Sequence, residues 1–93
     1  MNFKNNDDLK KAVVDGVLDC KGQDLICAFN IHIDAHIINV WDIDAWDINA
    51  RDINYYAVCF AYEDIVCNDI KGRRKHSKHF VLDGKITTRE KTK

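Results

Sequence analysis

An apolar residue recurs every five positions through the middle of this 93-residue chain, at Ile33, Ile38, Ile43, Ile48, Ile53 and Val58. An α-helix turns about 100° per residue, so positions five apart lie about 140° from one another and build no stripe. A flat strand sends residues at odd spacing to opposite faces. Neither regular element accommodates the pattern. A chain that bends once every five residues does, because each bend returns one apolar side chain to a central column. The spacing therefore predicts a mainly β fold in the form of a small β-solenoid.

The flanking positions agree. One step after the apolar residue stand Asp34, Asn39, Asp44, Asn49 and Asn54, short polar side chains that bond to nearby backbone at bends. Two steps after it stand Ala35, Val40, Ala45 and Ala50, small enough for a tight interior. The Asp-Ile dipeptide recurs at 42–43, 47–48 and 52–53, then at 64–65 and 69–70 after a two-residue slip placed at Ala61 to Glu63. The repeats are expected to span residues 17–71. Residues 5–15 read as a short N-terminal helix, favoured by Asp7 and Asp8 at its positive end and stopped by Gly16. Val17 to Phe29 reads as two short strands about the Lys21-Gly22 turn. Residues 72–88 read as a basic segment and a hairpin, Phe80-Val81-Leu82 turning at Asp83-Gly84 into Lys85-Ile86-Thr87, with 89–93 as a tail.

One domain is expected at this length. There is no run of 18 apolar residues, so no spanning helix is expected. The polar, acidic stretch from Met1 to Leu9 lacks the core of a signal peptide. The four cysteines are then expected as reduced thiols of a cytoplasmic protein. The net charge of −1 conceals a division. Residues 30–70 hold eight acids, Asp34, Asp42, Asp44, Asp47, Asp52, Glu63, Asp64 and Asp69, against Arg51 alone. Residues 71–93 hold nine bases against Asp83 and Glu90. Such asymmetry points to a charged partner, to contact between the two parts, or to two solvated faces.

The run Asp-Ile-Asp-Ala-Trp, Asp-Ile-Asn-Ala-Arg, Asp-Ile-Asn-Tyr-Tyr resembles the pentapeptide-repeat proteins over roughly residues 28–71. That resemblance implies a quadrilateral β-helix. It departs from the family in placing its small residue two after the central apolar one, not two before. Tyr55 to Tyr62, Lys71-Gly72-Arg73-Arg74 and His79 to Gly84 resemble small phage and prophage proteins, among them inhibitors of type II CRISPR nucleases. The likeness implies a phage-encoded inhibitor acting in the bacterial cytoplasm. Pentapeptide-repeat relatives that mimic DNA and occupy DNA gyrase imply a second target.

Cys59, Cys67, His76 and His79 give C-x7-C-x8-H-x2-H, a donor set for one structural zinc, with Asp83 as an alternative to His76. Cys20, Cys27, His32 and His36 form an earlier set, read as buried thiols and exposed imidazoles. His36, Trp41, Trp46, Arg51 and Tyr56 fall three after each apolar residue, where planar groups stack and also suit a protein-recognition patch, with Arg51 supplying a cation–π contact. Asp42, Asp44, Asp47 and Asp52 beside Trp41, Trp46 and Arg51 are the expected docking surface for a host DNA-binding nuclease. Lys71 to Lys78 is the rival, a nucleic-acid-binding segment. No phosphate loop or nucleophile motif is present, so a binding protein is expected and not an enzyme.

Overall fold

The computed structural model describes residues 3–89, which wind through about four turns of a β-solenoid. Two parallel sheets form its sides. The first stacks β2 (Val17–Ile26), β4 (His36–Ala45), β6 (Asp52–Ala61) and then β8 (Asp69–Gly72) and β9 (Lys78–Val81), both paired with β6. The second stacks β3 (Asn30–His32), β5 (Asp47–Asn49), β7 (Ile65–Cys67) and β10 (Ile86–Thr88). Stacking places like on like inside. Ile31, Ile48, Ile65 and Ile86 form one column. Leu18, Ile37, Ile53 and Ile70 form a second, and Leu25, Ile43, Cys59 and His79 a third.

A full turn takes 17 residues from Ile31 to Ile48 and again from Ile48 to Ile65. The five-residue period is therefore a property within a turn. Strand geometry points alternate residues inward, giving the buried pairs Ile43/Ala45, Ile48/Ala50 and Ile53/Tyr55. A corner then takes three residues before the next inward position. Two steps in a strand plus three round a corner make five. The rule lapses at Ile38 and Val58, which are only half-buried. At Asn39 the backbone turns left-handed, φ 54°, and the ladder shifts there so that Ile37 and Val40 point inward instead. Asparagine tolerates that conformation better than most residues, and its amide donates to Asp19 Oδ1 at 3.0 Å.

The repeated aspartates hold the corners. Asp47 Oδ1 accepts the Asp64 backbone N–H at 2.7 Å, and Asp64 Oδ1 accepts that of Lys85 at 3.0 Å. Asp42 Oδ1 accepts the Val58 N–H at 3.0 Å. Each carboxylate bonds an amide one turn onward that the bend would otherwise leave unpaired. Gly84 lies so close to this stack that a Cβ there would collide with the Glu63 carbonyl and the Asp64 carboxylate.

Three expectations need correction. The helix runs only over α1 (Asn6–Lys10), capped by the Asn5 side chain on the Asp8 N–H at 2.9 Å. Beyond it β1 (Val13–Val14) pairs antiparallel with β2, and Asp15 and Gly16 both take positive φ at the turn. An Asp-Gly hairpin turn, not a helix stop, explains Gly16. Buried Leu9 covers the N-terminal end of the core. Lys21 and Gly22, both with positive φ, kink a single strand β2 and do not divide it in two. The expected C-terminal hairpin is absent: β9 and β10 pair in parallel with β6 and β7 as successive sides of the last turn. Of the expected tail 89–93, residues 90–93 lie outside the described residues, and Arg89 is tied down, its guanidinium donating to the Ala50 carbonyl at 2.6 Å.

Candidate functional site

The seven residues expected to form one docking surface are spread around the coil. Trp41, Asp42 and Asp44 lie on β4, Trp46 and Asp47 at the corner leading into β5, and Arg51 and Asp52 at the corner entering β6. Residues five apart occupy successive corners of one turn and do not stack; stacking partners are a turn away. Arg51 accordingly pairs with Asp34 at 2.7 Å, and among the described residues the cation–π contact is made by Arg73 over Tyr56 and not by Arg51. That hydrogen-bonded pair holds the Asp34 carboxyl below its usual range and the guanidinium above its own. Asp52 meets His36 Nδ1 at 2.7 Å. Asp42 and Asp47 are engaged by backbone amides. Of the four aspartates, Asp44 is exposed and the other three are half-buried.

The aromatic residues stack in two places. Trp41 meets Tyr56 edge-on, ring centroids 4.5 Å apart, and the Arg73 guanidinium lies 5.6 Å over the Tyr56 ring. Toward the C-terminal ends of the strands of the first sheet a second patch forms. Ile26, Asp44, Phe60 and Phe80 are consecutive in register on its outward face. At the adjoining corner the backbone bonds Tyr62 N–H to Ala45 O and Leu82 N–H to Ala61 O bring Trp46, Tyr62 and Leu82 into line. Phe60 contacts Phe80 at 5.1 Å and Tyr62 at 5.4 Å, and Tyr62 contacts Trp46 at 6.2 Å. Ile26, Trp46, Tyr62, Phe80 and Leu82 all remain exposed. Between Trp46 and Tyr62 runs a groove whose remaining walls are Glu63 and Asp83.

This corner is where the five-residue period slips. Ala61 is buried and Tyr62 and Glu63 point out, because the bend from β6 to β7 falls there. Sequence reasoning found Trp46 but missed Phe60, Tyr62, Phe80 and Leu82 as its neighbours. The available signal was the 17-residue recurrence of Asp-Ile, from 47–48 to 64–65 and from 52–53 to 69–70.

The four proposed zinc ligands do not gather into one cluster, although the Cys67 thiol lies near enough to Cys59 to act on it. Cys59 and Cys67 are fully buried, on different sheets. His79 stacks on Cys59, but its Nδ1 bonds the Tyr55 hydroxyl at 2.7 Å. His76 is exposed in the bend before β9, and Asp83 is exposed at the corner beyond it. Among the described residues, no three His, Cys, Asp or Glu side chains form a cluster that could hold a metal. Burial pushes the Cys67 thiol up to about 11 and the Cys59 thiol higher still. Cys20 and Cys27 are buried likewise, also at about 11, while His32 is exposed and His36 half-exposed.

Tyr55 closes the C-terminal end. Its hydroxyl also bonds Ser77, and Gly72 lies against its ring, where a Cβ would collide with both Ser77 and Tyr55. This clasp folds the basic bend back onto the coil, leaving Lys71, Arg74, Lys75, His76 and Lys78 exposed. Among the described residues no helix is long and apolar enough to cross a membrane. Comparison with protein-family models, with curated proteins and with solved structures found no match.

Proposed function

We propose that this chain is a non-catalytic inhibitor that docks on the basic, DNA-binding surface of a host enzyme. The observation that carries the reading is the exposed patch of Ile26, Trp46, Tyr62, Phe80 and Leu82 around the half-buried Phe60, with Asp44, Glu63 and Asp83 among and beside it. Contiguous apolar surface of this kind marks an interaction site. Tryptophan and tyrosine anchor interfaces, and the flanking acids steer a basic partner into place. The reading differs from a uniform acidic rod, since most of the repeat aspartates are spent on corners. The resemblance to phage inhibitors makes a type II CRISPR nuclease the first target, and the resemblance to pentapeptide-repeat proteins makes DNA gyrase the second.

The test measures duplex DNA binding by guide-loaded nuclease, and by gyrase, with increasing amounts of this protein. DNA should be displaced from one of them, less effectively at higher salt because exposed charge is screened over about 8 Å at physiological ionic strength. Trp46→Ala should raise the off-rate, while Asp44→Lys should chiefly slow association. A ternary complex with undiminished DNA affinity would sink the reading. If the bare protein itself shifts duplex DNA in a gel, the exposed bases between Lys71 and Lys78 become the working surface instead.

A further inference from the structure

The corner patch holds one feature that general stickiness does not explain. Glu63 and Asp83 follow Tyr62 and Leu82 on neighbouring rungs, positioned by the backbone bonds Glu63 N–H to Trp46 O and Asp83 N–H to Tyr62 O. Rungs of a sheet lie about 4.8 Å apart, and like charges on adjacent rungs repel. Neither carboxylate has an ion pair or side-chain hydrogen bond among the described residues, although this chain pairs Asp34 and Asp52 elsewhere. Trp46, 52% exposed, and Tyr62, 48% exposed, wall the same groove of about 430 Å³, their ring planes inclined at 64°. Two unpaired carboxylates beside two aromatic faces are complementary to a planar cation.

We infer that this groove is a receptor for one arginine side chain of a protein partner. The guanidinium stacks on an aromatic face and forks its donors to Glu63 and Asp83, which the compact, strongly hydrated ammonium of lysine does less well. Phe60, Phe80 and Leu82 beside the groove receive the apolar remainder of the partner segment, and the charge of the arginine relieves the repulsion between the two rungs. The assignment rests on the docking reading above and names the group recognised there.

The experiment titrates isotope-labelled protein with N-acetyl-Gly-Arg-Gly-amide, its lysine counterpart and its neutral citrulline counterpart, followed by two-dimensional amide spectra. The arginine peptide should give saturable shifts centred on the Trp46 indole and the Glu63 and Asp83 amides. The lysine peptide should bind more weakly and the citrulline peptide should not bind. The pair Glu63→Gln and Asp83→Asn should weaken binding at least about tenfold, with the rest of the spectrum unchanged. Free arginine, whose own carboxylate faces the two acids, should bind less tightly than the capped peptide. Absence of saturable shifts, shifts centred on other residues, or equal binding of the citrulline peptide would overturn the assignment. Should the peptide fail while the protein still displaces DNA from its target, the arginine groove alone falls. Should the peptide bind while no DNA is displaced, the groove stands and the docking reading falls.

Discussion

Ile38 and Ile48 occupy equivalent places in the five-residue repeat, yet the fold gives them unequal work. Ile48 is 1% exposed, stacked between Ile31 and Ile65 at the centre of its column. Ile38 is half-buried, turned aside by the left-handed Asn39. Truncating Ile48 to alanine removes three carbons, at about 0.8 kcal/mol each for lost burial. Neighbours on both adjoining rungs are fixed by ladder hydrogen bonds and close only part of the space, adding about 1 kcal/mol. Ile48→Ala should therefore cost about 3 kcal/mol, a large part of a small domain's stability of about 5–15 kcal/mol. Ile38→Ala leaves an open notch and loses roughly half the burial term, about 1 kcal/mol. Urea unfolding followed by far-UV circular dichroism reads both, with the slope checked for constancy so that midpoint shifts report stability. Equal costs would mean that the repeat position, not the stacking register, decides burial, and the alternation of two-residue and three-residue steps would be wrong.

The two kinds of aspartate should separate in the same assay: Asp42→Ala strands the half-buried Val58 N–H and should cost about 1–3 kcal/mol, whereas Asp44→Ala should stay within about 0.5 kcal/mol. Stability should also fall in alkali. Cys20, Cys27 and Cys67 rise from the ordinary 9.0 to about 11 on burial, so their contribution is complete below pH 9 and lost as pH climbs toward 11; a melting temperature flat across that window would refute it. Elemental analysis of protein purified without chelator decides the zinc expectation, and one zinc per chain would mean that the last turn rearranges to bring His76 and His79 to Cys59 and Cys67.

Much of the fold was legible because a five-residue period excludes helix and flat strand alike, whatever the details. What the period concealed was the third dimension. Ile33, Ile43, Ile48 and Ile53 face inward as expected, but which residues touch depends on the 17-residue turn, and a five-residue ruler does not measure it. Asp15-Gly16 and Asp83-Gly84 show a different limit. Both read as hairpin signals or stops. The first is a hairpin turn with positive φ at both residues, while at the second glycine is needed for close approach to the corner below. One dipeptide serves two physical needs, and only the neighbours in space distinguish them.

The site was less legible for a related reason. Acidic residues were counted as surface, yet a carboxylate at a tight corner is most useful bonding an amide, and Asp42 and Asp47 do so. The acids left for recognition are those off the repeat or at its break, Glu63 and Asp83, and Asp44 on an outward strand position. The same logic applies to the aromatics. The corner from Ala45 to Ile48 takes three steps, whereas the one stacked on it from Ala61 to Ile65 takes four, one residue more than the coil needs for closure. Tyr62 and Glu63 lie in that longer corner, and they stand with Trp46 and Asp83 around a groove that joins aromatic walls to acids unpaired among the described residues. Where a repeat breaks without breaking the fold, the extra residues are released from structure and become the place to look for recognition.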